Sequence, residues 1–169
     1  MIVLVHKCRP ANHPAPITAW LIMLFQGMVP WKKESFSHLA ISYFSTTHNH
    51  KFADSTAKGV RDMRSKYFKK TYKIVETKRL NIPQDYDQFL MWFEEHEGKS
   101  YDKKQIVGLL LKALGLITFN KYGHNLNKLT CNELVLDLIL WAFKRSVKDT
   151  DNYDLLMTWD EVLNVTDQT

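Results

Sequence analysis

Along this chain the apolar positions alternate or cluster so as to predict a series of short elements. Ile2 to Val5 is a β-branched apolar run that reads as a buried strand, and the prolines of the Arg9 to Pro16 stretch break it. A helix is expected from Ile17 to Gln26. Phe36 to Phe44 reads as a strand with Leu39, Ile41 and Tyr43 on one face and His38, Ala40 and Ser42 on the other, by the period of two. The polar loop Ser45 to His50 leads to Lys51 to Thr56, short enough to be the next antiparallel strand and ended by Gly59. Asp54 would then neighbour the His38 strand.

Tyr72 to Leu80 predicts a third strand, and Pro83 followed by Asp85 opens a helix through Phe89, Leu90, Trp92 and Phe93 that Gly98 ends. Ile106 to Leu116 reads as a more apolar helix, followed by an Asn- and Gly-bearing loop from Phe119 to Leu129. Thr130-Cys-Asn-Glu133 fits a capping box, in which the Thr hydroxyl accepts from the third helical N–H and the Glu side chain returns to the cap. That puts Cys131 in the first turn of a helix. From Leu134 to Phe143 this helix is apolar on nearly every side, interrupted mainly by Asp137, so it should lie at the centre of the protein. Thr158-Trp-Asp-Glu161 repeats the capping signature before a short closing helix.

A length of 169 residues suits a single domain over 1–169 with a real core. With 45% hydrophobic, 12% aromatic and 24% charged residues, the composition is that of a globular protein and excludes a disordered one. The formal charge of +5 favours acidic partners without deciding a mechanism. Two cysteines, Cys8 and Cys131, are too few for a disulfide framework, so free thiols in a reducing, cytoplasmic compartment are expected. The stretch from Met1 to Cys8 has no basic leader of the signal-peptide kind. The longest apolar run, Ala19 to Phe25, is far short of the ~20 residues a membrane-spanning helix needs, so no transmembrane segment is expected.

Those bounds leave Cys131 as the residue with the clearest chemistry. A thiol attacks as its thiolate, and the backbone N–H groups and macrodipole of a helix N-terminus favour negative charge there. The same groups can hold the oxyanion formed when the sulfur attacks a carbonyl. Such a nucleophile needs an imidazole base oriented by a third polar group, and seven histidines compete for that role.

The residues around two of these positions resemble a known family. Phe36-Ser-His-Leu-Ala-Ile-Ser42 and, later, Leu129-Thr-Cys-Asn-Glu-Leu-Val135 are similar to the His and Cys motifs of the permuted NlpC-type peptidases, with His before Cys as in the permuted order. Phe52-Ala-Asp-Ser-Thr-Ala-Lys-Gly-Val60 looks like that family's second strand, and Gly98-Lys-Ser-Tyr-Asp102 like the segment that precedes its cysteine helix. The closing Thr158-Trp159 departs from the family's Thr-Pro pair. The resemblance implies an α+β, circularly permuted papain-like fold, with a small antiparallel sheet packed on a central helix bearing the cysteine. It also implies Cys131 as nucleophile, His38 as general base and acid, Asp54 as orienting group and the Tyr101 hydroxyl as an oxyanion donor. His48, His50 and Ser55 remain alternatives to Asp54.

The implied activity is a cysteine hydrolase or acyltransferase acting on an amide, ester or thioester carbonyl in a peptide, cell-wall or lipid-derived substrate. No cofactor is expected. No metal site is expected either, although His48 and His50 have strand-ligand spacing and could join Cys8 or His13 around zinc. The run Lys66-Tyr-Phe-Lys-Lys-Thr-Tyr-Lys73 interleaves basic and aromatic residues as a nucleic-acid platform does, but reads as an edge strand with solvated lysines. The alternative to an enzyme is a catalytically idle module of the same fold that recognises an anionic partner through this run.

Overall fold

A computed structural model describes residues 1–11, 19, 22–23, 32–33, 35–44, 49–104, 107, 111, 116 and 128–143. The helices expected over 17–26 and 106–116 fall only partly within these residues, and the closing helix lies outside them. The described chain is a mixed α+β fold. Five strands, β1 (Ile2–Pro10), β2 (His38–Phe44), β3 (His50–Thr56), β4 (Gly59–Arg64) and β5 (Tyr72–Asn81), form one antiparallel sheet in the order β4-β3-β2-β1-β5. Helices α1 (Ser65–Thr71), α2 (Tyr86–His96) and α3 (Cys131–Ala142) accompany it. Among the described residues no helix is long and apolar enough to cross a membrane.

Alternation along the strands separates two cores. Val3 and Val5 of β1, Leu39, Ile41 and Tyr43 of β2, and Ala53 of β3 form one apolar surface, which α2 covers with Phe89, Trp92 and Phe93 and α3 with Leu134, Val135, Leu138 and Ile139. Each such side chain contributes roughly 1.5–3 kcal/mol by leaving water, so this surface supplies much of the driving force for the fold. Trp92 Nε1 and His96 Nε2 both reach Asp137, at 2.9 and 3.0 Å, and satisfy the carboxylate that interrupts the apolar run of α3 after Glu133. A smaller core of Cys8, Ala40, Phe52 and Phe68 occupies the other side of the alternation, with the Phe52 and Phe68 rings stacked at 4.0 Å between centroids.

Three expectations are corrected. First, β1 continues to Pro10, because beyond Cys8 it pairs only with β5 and the missing proline N–H has no β2 partner to serve. Second, Gly59 opens β4 rather than closing the hairpin: it takes φ +94° after the Ala57-Lys58 turn, and β4 then pairs with β3 from Thr56↔Gly59 to Lys51↔Arg64. Third, the basic-aromatic run is not an edge strand, since most of it forms α1. The chain leaves β4 at one edge of the sheet and enters β5 at the other, so it must cross a face, and α1 makes that crossing with Phe68 buried and Lys66, Tyr67, Lys69 and Lys70 exposed.

The β3–β4 hairpin also anchors residues 98–100 and the start of the segment that leads into α3. Val60 N donates to Lys99 O and Gly98 N to Val60 O, at 2.9 and 2.8 Å, while Leu129 N donates to Ser100 O at 3.0 Å. Ser55 Oγ donates to Leu129 O at 2.5 Å, so the residues leading into α3 are tied to β3 by a buried bond. A Cβ on residue 59 would stand 2.7 Å from Lys99 O. Gly59→Ala therefore meets both a clash with backbone and an unfavourable positive φ. It is expected to lower the urea unfolding free energy by about 1–3 kcal/mol. Stability within a few tenths of a kcal/mol of the parent would contradict this packing.

Candidate active site

Three adjacent strands place one polar side chain each in a row. His38 is the first residue of β2, Asp54 sits in β3 opposite Ala40, and Arg61 sits in β4 directly opposite Asp54. Cross-strand and diagonal neighbours on one face of a sheet lie within reach of long side chains. Here His38 Nε2 lies 3.2 Å from Asp54 Oδ2, and Arg61 Nε donates to Asp54 Oδ1 at 3.1 Å. The Asp54 carboxylate is wholly buried with both oxygens engaged, the arrangement a buried charge requires. Tyr72, the first residue of β5, stacks on the His38 ring at 4.6 Å and 16° and so limits its rotation.

Cys131 approaches from α3. The Thr130 hydroxyl accepts from Glu133 N at 3.3 Å and Glu133 Oε2 accepts from Thr130 N at 2.6 Å, so the capping box read from the sequence is complete. This cap sets where the helix starts and makes Cys131 its first residue. Cys131 is 7% exposed, and its side chain is hydrogen-bonded to that of His38. Imidazole, carboxylate and thiol thus come from β2, β3 and α3, brought together although Cys131 lies 93 positions after His38.

Electrostatics couples the three. Burial acts to lower the His38 imidazole, but the Cys131 charge and the hydrogen bonds to Asp54 and Cys131 outweigh it and hold His38 up at about 9. Burial likewise acts to raise Asp54, yet the bond and charge of His38, and then those of Arg61, keep it below the usual carboxylate range. The Cys8 thiol is pushed up, by burial first and then by the charges of Cys131 and Asp54. The Tyr101 hydroxyl is also pushed up, by burial and then by Cys131, so it keeps its proton. Beside the group lies a cavity of about 450 Å³ with His38, Tyr72 and Tyr101 on its wall.

The alternatives for the third position take other partners. Ser55 is committed to Leu129 O, and His50 Nε2 lies 2.8 Å from Ser42 Oγ, an oxygen that His6 Nε2 also approaches at 2.7 Å. His48 and His13 lie outside the described residues, among which no group of three or more His, Cys, Asp or Glu side chains is arranged to hold a metal ion. Two members of the cluster were not anticipated. Arg61 would have been found by continuing the hairpin past Gly59, since a two-residue turn sets it opposite Asp54. Tyr72 carried no local signal, because β5 reaches His38 only through the sheet order. The chain matches no family model, no curated protein and no solved structure.

Proposed function

We propose that this chain is a cysteine-dependent hydrolase or acyltransferase, arranged as a circularly permuted papain-like (NlpC-type) domain, with Cys131 as nucleophile, His38 as base and acid and Asp54 as orienting group. The observation that carries the reading is the His38 imidazole, bonded to a buried carboxylate and to a thiol on the first turn of a capped helix. With Nε2 facing Asp54, Nδ1 holds the proton taken from the thiol, and the thiolate attacks the carbonyl carbon to form the C–S bond as the carbonyl π pair moves to oxygen. Backbone N–H groups of the first turn of α3 and the protonated Tyr101 hydroxyl receive the oxyanion, each such donor contributing about 3–4 kcal/mol in known cases. His38 returns its proton to the departing alcohol, amine or thiol. Water or another acceptor then cleaves the thioester, giving its proton to His38 and restoring the Cys131 thiol as the acyl group leaves.

The direct test is to mix the protein with p-nitrophenyl acetate, follow nitrophenolate release and locate the acetyl group by mass spectrometry. A burst matching the protein concentration, with acetyl on Cys131 and none on Cys8, is expected. Equal slow acetylation of both thiols would end the catalytic reading. It would favour the idle module, whose exposed Lys66, Lys69 and Lys70 on α1 remain available to an anionic partner.

A further inference from the structure

We infer that the acyl group accepted by this site is an apolar hydrocarbon chain lodged in the cavity beside His38, which makes the substrate class a fatty-acyl ester or thioester rather than a peptide. The inference rests on the reaction proposed above and names its substrate. At about 450 Å³ the cavity is of ligand-binding size, and its wall is built by Pro10, Ala19, Ile22 and Val107 together with the Tyr72 and Tyr101 side chains.

Among the described residues the polar side chains on this wall are few: besides His38 and Lys103 they are the hydroxyls of Ser37, Ser55, Thr56, Tyr72 and Tyr101, and two of these are already engaged. Ser55 Oγ is spent on Leu129 O, and Thr56 Oγ1 accepts from Lys58 N. A peptide entering here would lose the water around its N–H and C=O groups and find few partners in exchange, whereas a methylene chain has no such groups to satisfy. No carboxylate stands among the described wall residues, and besides His38 the only ionisable cation there is Lys103, which is exposed. Because His38 both forms part of the wall and holds Cys131, a chain occupying the cavity delivers its carbonyl to the imidazole–thiol pair.

The experiment compares p-nitrophenyl acetate, butyrate and octanoate with the intact protein. kcat/KM should rise about fourfold for each methylene that enters the cavity, and by at least about tenfold from acetate to octanoate. Ala57→Trp, which adds bulk at the exposed turn on the cavity wall, should cut the octanoate-to-acetate ratio several-fold. Separately, decanoate should bind Cys131→Ser by calorimetry and bind more weakly when Ala57→Trp is added. Acetate turnover with no gain from chain length would overturn the inference and leave the catalytic reading standing, as would a peptide p-nitroanilide cleaved faster than octanoate. If no ester acylates Cys131, the catalytic reading fails, and decanoate binding alone then decides whether the cavity takes a hydrocarbon chain.

Discussion

His38→Ala is expected to lower kcat for an activated ester by about ten-thousandfold or more, with KM changed far less. The size follows from how many steps the imidazole serves. It holds the thiol proton, protonates the leaving group and activates the water, and among the described residues no other side chain is placed to do so: Asp54 is held as a carboxylate and Tyr101 keeps its proton. Single-turnover acylation of Cys131, read by mass spectrometry, separates this loss from a defect in thioester hydrolysis. Because the substitution also leaves buried Asp54 with Arg61 as its ionic partner, circular dichroism and a urea melt must show that the variant is folded. A folded His38→Ala protein that keeps a tenth of parental acylation would sink the dyad. Asp54→Asn should lose less, about a hundredfold or more, since the base persists and only its orientation and charge support are removed.

The second large effect is on stability and its dependence on pH. His38 titrates near 6.5 in an unfolded chain and at about 9 in the folded one. Its contribution is therefore complete below pH 6.5 and disappears as pH rises through 9, a difference on the order of 3 kcal/mol. Asp54 has the opposite sign. Held below its ordinary value of 3.8, it contributes above that pH and loses the contribution as pH falls through the folded value. The ion pair is thus fully effective between about pH 4 and 6.5. Urea is the denaturant of choice, because guanidinium chloride would screen the charges being measured. Unfolding free energy should fall by a few kcal/mol between about pH 6 and pH 9.5, and Asp54→Asn should remove the part of that slope that the Asp54 bond and charge supply, leaving the part due to Cys131. A parent protein equally stable at both values would show that His38 is not held by these charges.

The two predictions share a cause in the row His38–Asp54–Arg61. Arg61 anchors one carboxylate oxygen and leaves the other for the imidazole, so the orientation of the base is set two strands away from it. Tyr72 closes the opposite face of the ring, and the tether from Ser55 to Leu129 holds the start of α3 against the same hairpin. Rigid elements therefore carry every partner of the pair, which favours preorganised chemistry over induced fit.

What the sequence by itself determined here is whatever depends on near neighbours. The capping box at Thr130 and Glu133 was legible because both partners lie within one turn, and it placed Cys131 without any tertiary information. The period of two put His38 and Leu39 on opposite faces, and a short loop was enough to set Asp54 beside the His38 strand. The tertiary structure alone decided the rest. β5 pairs with β1, not with β4, so the chain had to cross the sheet, and Lys66 to Thr71 became helix where composition suggested an exposed edge. That crossing carried Tyr72 onto His38 and helped wall the cavity beside it. Arg61 reached Asp54 through a pairing that Gly59 permits only because its backbone takes a positive φ against Lys99. Local hydrogen bonds and alternation act over a few residues and leave marks in the sequence, whereas strand order and cavity walls depend on contacts between segments far apart in the chain.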